Sequence, residues 1–271
     1  MRKYLIKLIV WLNAIGVDLI KGRIALTEIP ETFKQYRYLK RQNSNHRDKW
    51  QIEFSVPCFD DRLAAGGVAT GHYFHQDLLV ARRIYVRNPE KHVDVGSSVQ
   101  GFVSHVAAFR DIEIFDIRPI VNKTSGITFI QRDIMKRDEL FTNYTDSLSC
   151  LHALEHFGLG RYGDDIDIDG YVKGFEVLKN MLKPNGILYL SVPIGKERIE
   201  FNGHRIFSLR RLYELFVNDF ELVGFSYVND SGDLILDVSN FETGLVDNFG
   251  LNYGCGIFEL KKRISDQTTG I

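Results

Sequence analysis

Cysteine is scarce in this 271-residue chain, which carries three: Cys58, Cys150 and Cys255. They are far apart and odd in number, which excludes a secreted disulfide framework and a paired zinc motif, and fits a reducing, cytoplasmic compartment. An excess of charge is missing too. Lys plus Arg number 34 against 35 Asp plus Glu, a formal net charge of -1, so no global field draws the chain onto nucleic acid. Low-complexity tracts and internal repeats are also lacking, and an ordinary apolar content of 44% excludes disorder. A long apolar run is the last absence. The N-terminus, MRKYLIKLIVWLNAIGVDLIKG, has the basic start of a signal peptide or span, but Lys7, Asn13 and Asp18 interrupt it. It falls short of the roughly 20 apolar residues that cross a bilayer, and no small-x-small cleavage site follows.

What this segment offers instead is amphipathicity. Lys3, Lys7, Asp18 and Lys21 fall on one stripe of a helical wheel, with Leu5, Ile9, Leu12, Leu19 and Ile20 away from it. Such a helix docks on a membrane surface or a partner, or packs on its own domain. The polar, basic stretch from Glu31 to Lys49 reads as a loop or short exposed helix. Residues 1–50 are therefore expected to form an N-terminal amphipathic helix and linker, and residues 51–271 the main domain.

From Asp77 to Val86 the periodicity is helical, and beyond Lys91 short apolar runs alternate with helical ones. The runs are His92–Val95, Ile112–Ile117, Ile127–Ile130, Ser147–Leu151 and Ile187–Val192; the helical segments include Phe102–Arg110 and Tyr171–Leu182. Strands alternating with helices at this spacing predict an α/β fold with a Rossmann-like, mostly parallel sheet and helices on both faces. Ser208 can cap a further helix to about Asn218. Strands at Glu221–Val228 and Cys255–Leu260, joined by the polar stretch 229–252, are expected to form an antiparallel pair at the C-terminal sheet edge.

In such a sheet a ligand sits beyond the carboxyl ends of the strands. The first strand-to-helix turn reads His92-Val93-Asp94-Val95-Gly96-Ser97-Ser98-Val99-Gln100-Gly101. Gly96 permits a tight turn and Gly101 a close approach of helix or ligand. Ser98 stands where a dinucleotide fold, G-x-G-x-x-G, needs its middle glycine against a pyrophosphate. A ligand without phosphates is thus favoured, and Asp94 either holds its amino group or shapes the loop, with Ser97 beside it. The second strand ends at Asp116, about 22 residues after Asp94, the offset of an acid that accepts from ribose hydroxyls; the alternative is a turn cap. Asp133 can accept from an adenine amino group and Ile134 can pack on its ring, or Asp133 is a solvated loop residue.

The ordered series VDVGSS…G, IFDIRP, RDIM, LHALEHF and KPNGILYLSVP resembles the class I S-adenosylmethionine-dependent methyltransferases. Tyr73 to Leu78, Ala153 to Asp164 and Phe201 to Arg205 further resemble a branch of that superfamily catalogued as a domain of unknown function, over about Phe54 to Leu260. Bacterial members of that branch accompany surface-polysaccharide genes. The resemblance implies S-adenosyl-L-methionine as cofactor, a small or sugar-like hydroxyl acceptor, and a lid over the cofactor from Gln76 and Asp77; alternatively Asp77 caps the helix that begins there.

Methyl transfer is an in-line displacement that needs alignment and, for a hydroxyl acceptor, a base. Residues after the fourth and fifth strands flank the methyl in such a sheet: His152, Glu155 and His156, then Asn202, His204 and Arg205. His156 or His204 is the expected base with Glu155 orienting it; alternatively Glu155 and His156 only fix the cofactor loop. His152 is expected beside the cofactor, and Arg205, with Asn202 and Tyr162, around the acceptor. His152, Glu155 and His156, with Asp164, Asp165, Asp167 and Asp169 nearby, raise a divalent-metal reading, since two histidines four apart with a carboxylate between can share a helix face; but the Asp run lacks the glycine and closing glutamate of a calcium loop, and no metal is expected. The expected partners are a small-molecule or glycan acceptor, a membrane surface met peripherally by the N-terminal helix at the inner face, and a second copy of the chain. Two rivals stand: a nicotinamide-dependent oxidoreductase, and a non-catalytic binding subunit of a glycan assembly complex.

Overall fold

The structure is a computed structural model that describes residues 2–121 and 123–264. The chain divides into two units, residues 1–68 and 69–271.

In the first unit α1 spans Arg2–Ala14 and α2 spans Leu19–Ser44. The side chains of Lys3, in the expected polar stripe, and of Leu5, away from it, lie outside the described residues. The stripe does not belong to a single helix, because Gly16 takes φ +86 and Asp18 caps α2, accepting from the backbone N–H of Ile20 and Lys21. Of the loop or short exposed helix expected from Glu31, the structure has helix, as the continuation of α2 to Ser44 and not as a separate short element. Its Phe33 and Tyr36 pack on Phe54, with ring centroids 5.1 and 5.0 Å away, and the Asn43 side chain holds the backbone of Trp50. Buried Glu28 is paired with Arg62. Tertiary packing thus turns a polar, periodless stretch into helix. Among the described residues no helix is long and apolar enough to cross a membrane.

The second unit begins with α3 (His72–Arg87), whose Gln76, Asp77, Val80, Ala81 and Ile84 recur at helical spacing and are buried. Then come β1 (His92–Val95), α4 (Ser104–Ala107), β2 (Ile112–Asp116), β3 (Ile127–Gln131) and β4 (Thr145–Leu151). They are followed by α5 (Gly170–Met181), β5 (Leu182–Ile194) and a hairpin of β6 (Arg198–Glu200) and β7 (His204–Ile206). The last elements are α6 (Leu209–Phe216, capped by Ser208), β8 (Phe220–Val228), β9 (Leu234–Ile235), α7 (Phe241–Asp247) and β10 (Gly254–Lys262). One eight-stranded sheet has the order β3-β2-β1-β4-β5-β10-β8-β9. Strands β1 to β5 pair in parallel, and β10 is antiparallel to both β5 and β8.

The antiparallel strand is therefore an insertion between β5 and β8, and the edge is β8 with the short β9. The 229–252 connection is not plain loop but holds β9 and α7. Alternation along the strands separates two cores. Val93, Phe115, Leu148, Leu188, Leu190 and Phe258 face α5 and α6; Ile112, Ile114, Leu151, Ile187, Tyr189 and Ile257 face α3 and the segment after β1. On that second face β1 and β4 carry polar groups in place of apolar ones. His92 bonds Ser147 and Ser149 at 2.8 and 3.1 Å, and Asp94 accepts from Ser149 at 2.6 Å. Each buried polar atom of this ladder has a partner, which is the condition for burying it.

Candidate functional site

The carboxyl ends of β1 to β4 border a hollow open to solvent, lined among others by Gly96, Asp116, Asp133, Ile134, His156 and Tyr162. A second, more open hollow shares Gly96, Asp116 and Tyr162 and adds Tyr73, Ser97, Ser98 and His152. Three expected cofactor elements, the glycine turn, the β2 acid and the β3 loop, thus border one space.

The turn after β1 is built around Asp94, which is fully buried and accepts from the Ser97 backbone N–H and hydroxyl at 3.0 and 2.6 Å as well as from Ser149. Its oxygens are spent on the protein, so Asp94 shapes the loop and does not itself reach into the hollow. Burial pushes its pKa up to about 6, against the hydrogen bonds from Ser149 and Ser97 that favour the anion. Ser97 also accepts from the Leu151 N–H, tying the turn to β4. Gly96 takes φ +72, and a Cβ there would stand 2.9 Å from that of Ala153. The chain then makes a wide turn in which the Val103 N–H reaches the Ser98 carbonyl at 3.2 Å. At Gly101 a Cβ would meet Asp77 Oδ2 at 2.5 Å, so this glycine admits a side chain of α3, not a ligand. Asp77 sits one turn inside α3 and is not its cap. Gln76 is buried, accepting from the Ser191 hydroxyl and facing the Cys255 thiol. It borders neither hollow, so the expected lid is not formed by this residue.

Asp116 is engaged by a residue that sequence reasoning did not single out. Arg118 donates to it from Nε at 3.0 Å and Nη2 at 2.6 Å, and the guanidinium lies 4.2 Å from the Tyr162 ring centre. An Arg two residues after the strand-end acid was the available signal. Asp133 accepts from the Met135 N–H at 2.9 Å and pairs with Lys136 at 3.2 Å, while Ile134 supplies an apolar wall.

After β4 the backbone turns at His152, φ +49, and this bend brings in Glu155 and His156. Glu155 bonds His152 Nδ1 at 2.7 Å and stands 3.8 Å from His156 Nε2, so the residue it orients is His152, contrary to expectation. Burial disfavours both ions, but their mutual attraction holds the Glu155 carboxyl below its ordinary range. On His152 the pull of Cys255 and Glu155 overcomes burial and raises the pKa to about 10. His156 donates from Nδ1 to the Gly203 carbonyl at 2.7 Å, and burial lowers its pKa despite Glu155. The lowered pKa favours the neutral imidazole and the Gly203 carbonyl favours the proton on Nδ1, which Arg161 Nη1 also approaches at 3.4 Å.

The remaining candidates separate. Tyr162 lies edge-on to His156 with ring centres 5.5 Å apart and belongs to the site. His204, 6.5 Å from His156 between ring centres, borders neither hollow; its Nε2 stands 3.4 Å from Glu200 without a hydrogen bond, and burial lowers its pKa. Asn202 is exposed at the tip of the β6–β7 hairpin. Arg205 is not an anion clamp: its terminal nitrogens donate to the carbonyls of Glu155, Phe157, Asp167 and Ile168, fastening the loop after β4. Two members of the Asp run are similarly committed within their own loop, while Asp165 and Asp169 are exposed. Asp164 accepts from the N–H of Gly158, Gly160 and Tyr162, and Asp167 pairs with Lys173.

Comparison with known proteins adds a family and a fold. The family model described as "Caenorhabditis protein of unknown function, DUF268" matches residues 105–242. No curated protein matches the chain. Among solved structures, a chain of the complex formed by the Haloferax volcanii Trm112 methyltransferase activator aligns with a TM-score of 0.51. It has 13% identity and covers 72% of this chain and 92% of its own. N-methyltransferase NodS from Bradyrhizobium japonicum WM9 aligns with a TM-score of 0.50 and 10% identity, covering 73% of this chain and 100% of its own. A structure of NodS in complex with S-adenosyl-L-homocysteine aligns with a TM-score of 0.48 and 12% identity, over 84% and 97% of the two chains. For the two that align at a TM-score of 0.50 or more, at 10 and 13% identity, the likeness is one of fold alone.

Proposed function

Since the chain belongs to the family described as Caenorhabditis protein of unknown function, DUF268, whose model takes in Asp116, Asp133 and the segment from His152 to Asp164, we propose that it is an S-adenosylmethionine-dependent methyltransferase acting on a small hydroxyl-bearing acceptor. The observation that carries this reading is the single hollow bordered by Gly96, Asp116, Ile134 and His156. It offers a carboxylate for a ribose, an apolar wall for a base and an imidazole at one margin, as an adenosine with a reactive group beyond it requires. The wide turn after Gly96 and the serine at position 98 do not make the bare-amide nest that a pyrophosphate needs, which disfavours the nicotinamide rival.

The bound cofactor supplies an electrophilic methyl group; the chain positions and deprotonates. Asp116 would hold the ribose hydroxyls, and Asp133 with Ile134 the adenine. Tyr162 would close the hollow between adenosine and acceptor. His156 has its Nδ1 committed to Gly203 and its pKa lowered by burial, so Nε2 is available at neutral pH to take a hydroxyl proton. A sugar-like acceptor of the kind used in surface-polysaccharide synthesis is supported by the sequence resemblance.

The test is incubation of the full chain with labelled S-adenosylmethionine and a panel of nucleotide sugars and short glycans, read by mass spectrometry for a gain of one methylene. Product is expected, and His156→Gln should lower its rate by about 10²–10⁴ while S-adenosylhomocysteine still binds. Failure of the wild-type chain both to bind S-adenosylhomocysteine and to methylate any acceptor overturns the proposal.

A further inference from the structure

Three side chains far apart in sequence meet beside the bend after β4. His72 opens α3, His152 is the bend itself, and Cys255 lies on β10; one nitrogen or sulfur atom of each is within 4.8 Å of the other two. His152 and Cys255 are buried, and His72 is half-buried under the tilted ring of Tyr253, 5.2 Å away. His152 Nδ1 faces the Glu155 carboxylate at 2.7 Å, which leaves Nε2 as the free position of the ring. That Nε2, on a side chain only 4% exposed, has no hydrogen-bond acceptor at full hydrogen-bond distance and faces the Cys255 sulfur of the same cluster, so a metal there would displace its proton. An orphaned polar atom at such depth calls for a ligand.

We propose that His72, His152 and Cys255 form a zinc site, with a thiolate and two imidazoles as protein donors and a fourth position free for water or a thiol. The donors select the metal class. Sulfur and imidazole suit Zn²⁺ and exclude the hard cations, which take oxygen. Three protein ligands with an open fourth position is the pattern of catalytic zinc. Glu155 provides the outer carboxylate that fixes the tautomer of a zinc-bound histidine and raises its basicity. Tetrahedral bonds of about 2.1 Å to nitrogen and 2.3 Å to sulfur need donors closer than 4.8 Å. His72, stacked on His152 with centres 5.2 Å apart and half-exposed at a helix start, is the ligand that swings inward.

His152 also borders the more open hollow beside Tyr73, Gly96 and Ser97. The metal site therefore adjoins the proposed cofactor site, but its existence does not depend on which cofactor binds there. No spacing motif marks it, since the ligands at positions 72, 152 and 255 come from a helix start, a bend and a strand far apart in the chain.

The experiment is titration of the purified full chain with Co²⁺ and then Zn²⁺, followed by visible and near-ultraviolet absorption, with circular dichroism to confirm folding. One Co²⁺ per chain is expected, with tetrahedral ligand-field bands and a thiolate-to-cobalt charge-transfer band, all erased by Zn²⁺. Cys255→Ser should abolish the charge-transfer band. His72→Gln, at a half-exposed position, should weaken binding by more than the 10–100-fold that loss of an outer-sphere partner costs. Cys58→Ser, at an exposed cysteine, should change nothing. A folded wild-type chain without the charge-transfer band, a band that survives Cys255→Ser, or unchanged affinity in a folded His72→Gln chain overturns the site. S-adenosylhomocysteine binding measured on the same samples reports separately on the methyltransferase reading.

Discussion

Arg118 grips the carboxylate of Asp116 through two hydrogen bonds, 2.6 and 3.0 Å long, while its guanidinium lies against the ring of Tyr162. The acid that would meet a ribose is thus held in place by a cation from its own loop. The Arg118 side chain is 48% exposed, and such a pair is worth about 0–1 kcal/mol. Arg118→Ala should therefore alter S-adenosylhomocysteine affinity by less than about tenfold. Isothermal calorimetry checks this, and complete loss of binding would show that Arg118 itself contacts the ligand.

Arg205 is expected to govern stability. Its guanidinium bridges four backbone carbonyls of the loop after β4, and each charged hydrogen bond contributes about 1.5–3 kcal/mol. Arg205→Lys cannot span both pairs, and urea unfolding should register a loss on the order of 2–4 kcal/mol. A change under about 0.5 kcal/mol would contradict this role.

Gly158 is the hinge of the same loop. It has φ +77, and a Cβ would lie 2.1 Å from the Asp167 carbonyl oxygen. Gly158→Ala should cost more than about 1 kcal/mol, read as a lowered midpoint of thermal unfolding. An unchanged midpoint would mean that the loop is free to move aside.

The buried acid after β1 sets a pH dependence. The Asp94 pKa, about 6 in the fold, lies above that of an unfolded aspartate, so the folded state binds the extra proton between the two values. The contribution is complete below about pH 4 and is lost as pH rises through about 6. It amounts to roughly 3 kcal/mol at about 1.36 kcal/mol per unit. Asp94→Asn, which stays neutral, should flatten stability against pH across that window; a slope identical to that of the parent chain would place the titration elsewhere.

Much of the sheet was readable because strands such as His92–Val95 and Ile112–Asp116 are short branched runs closed by turn residues. Asp116 and Ile134 were readable because their place follows from strand order alone. Pairings between elements were not. Arg205 looks like a ligand clamp in sequence because its carbonyl partners carry no side-chain signal. Gln76 reads as a lid because one cannot see Ser191 and Cys255 beneath it. The order of β10 was hidden for a related reason: alternation marks a strand but not its neighbours. The helix beyond Glu31 is made by contacts of Phe33 and Tyr36 with Phe54, which local pattern does not contain.

Calorimetric titration of S-adenosylhomocysteine into the parent chain and into Asp116→Ala bears most directly on whether the hollow at the ends of β1 to β4 holds an adenosine. The parent should bind in the micromolar range, and the variant, deprived of the acceptor for two ribose hydroxyls at about 1.5–3 kcal/mol each, should bind at least about 100-fold more weakly. Equal affinity in the two chains would place the ligand elsewhere, and no binding to the parent would remove it from the protein.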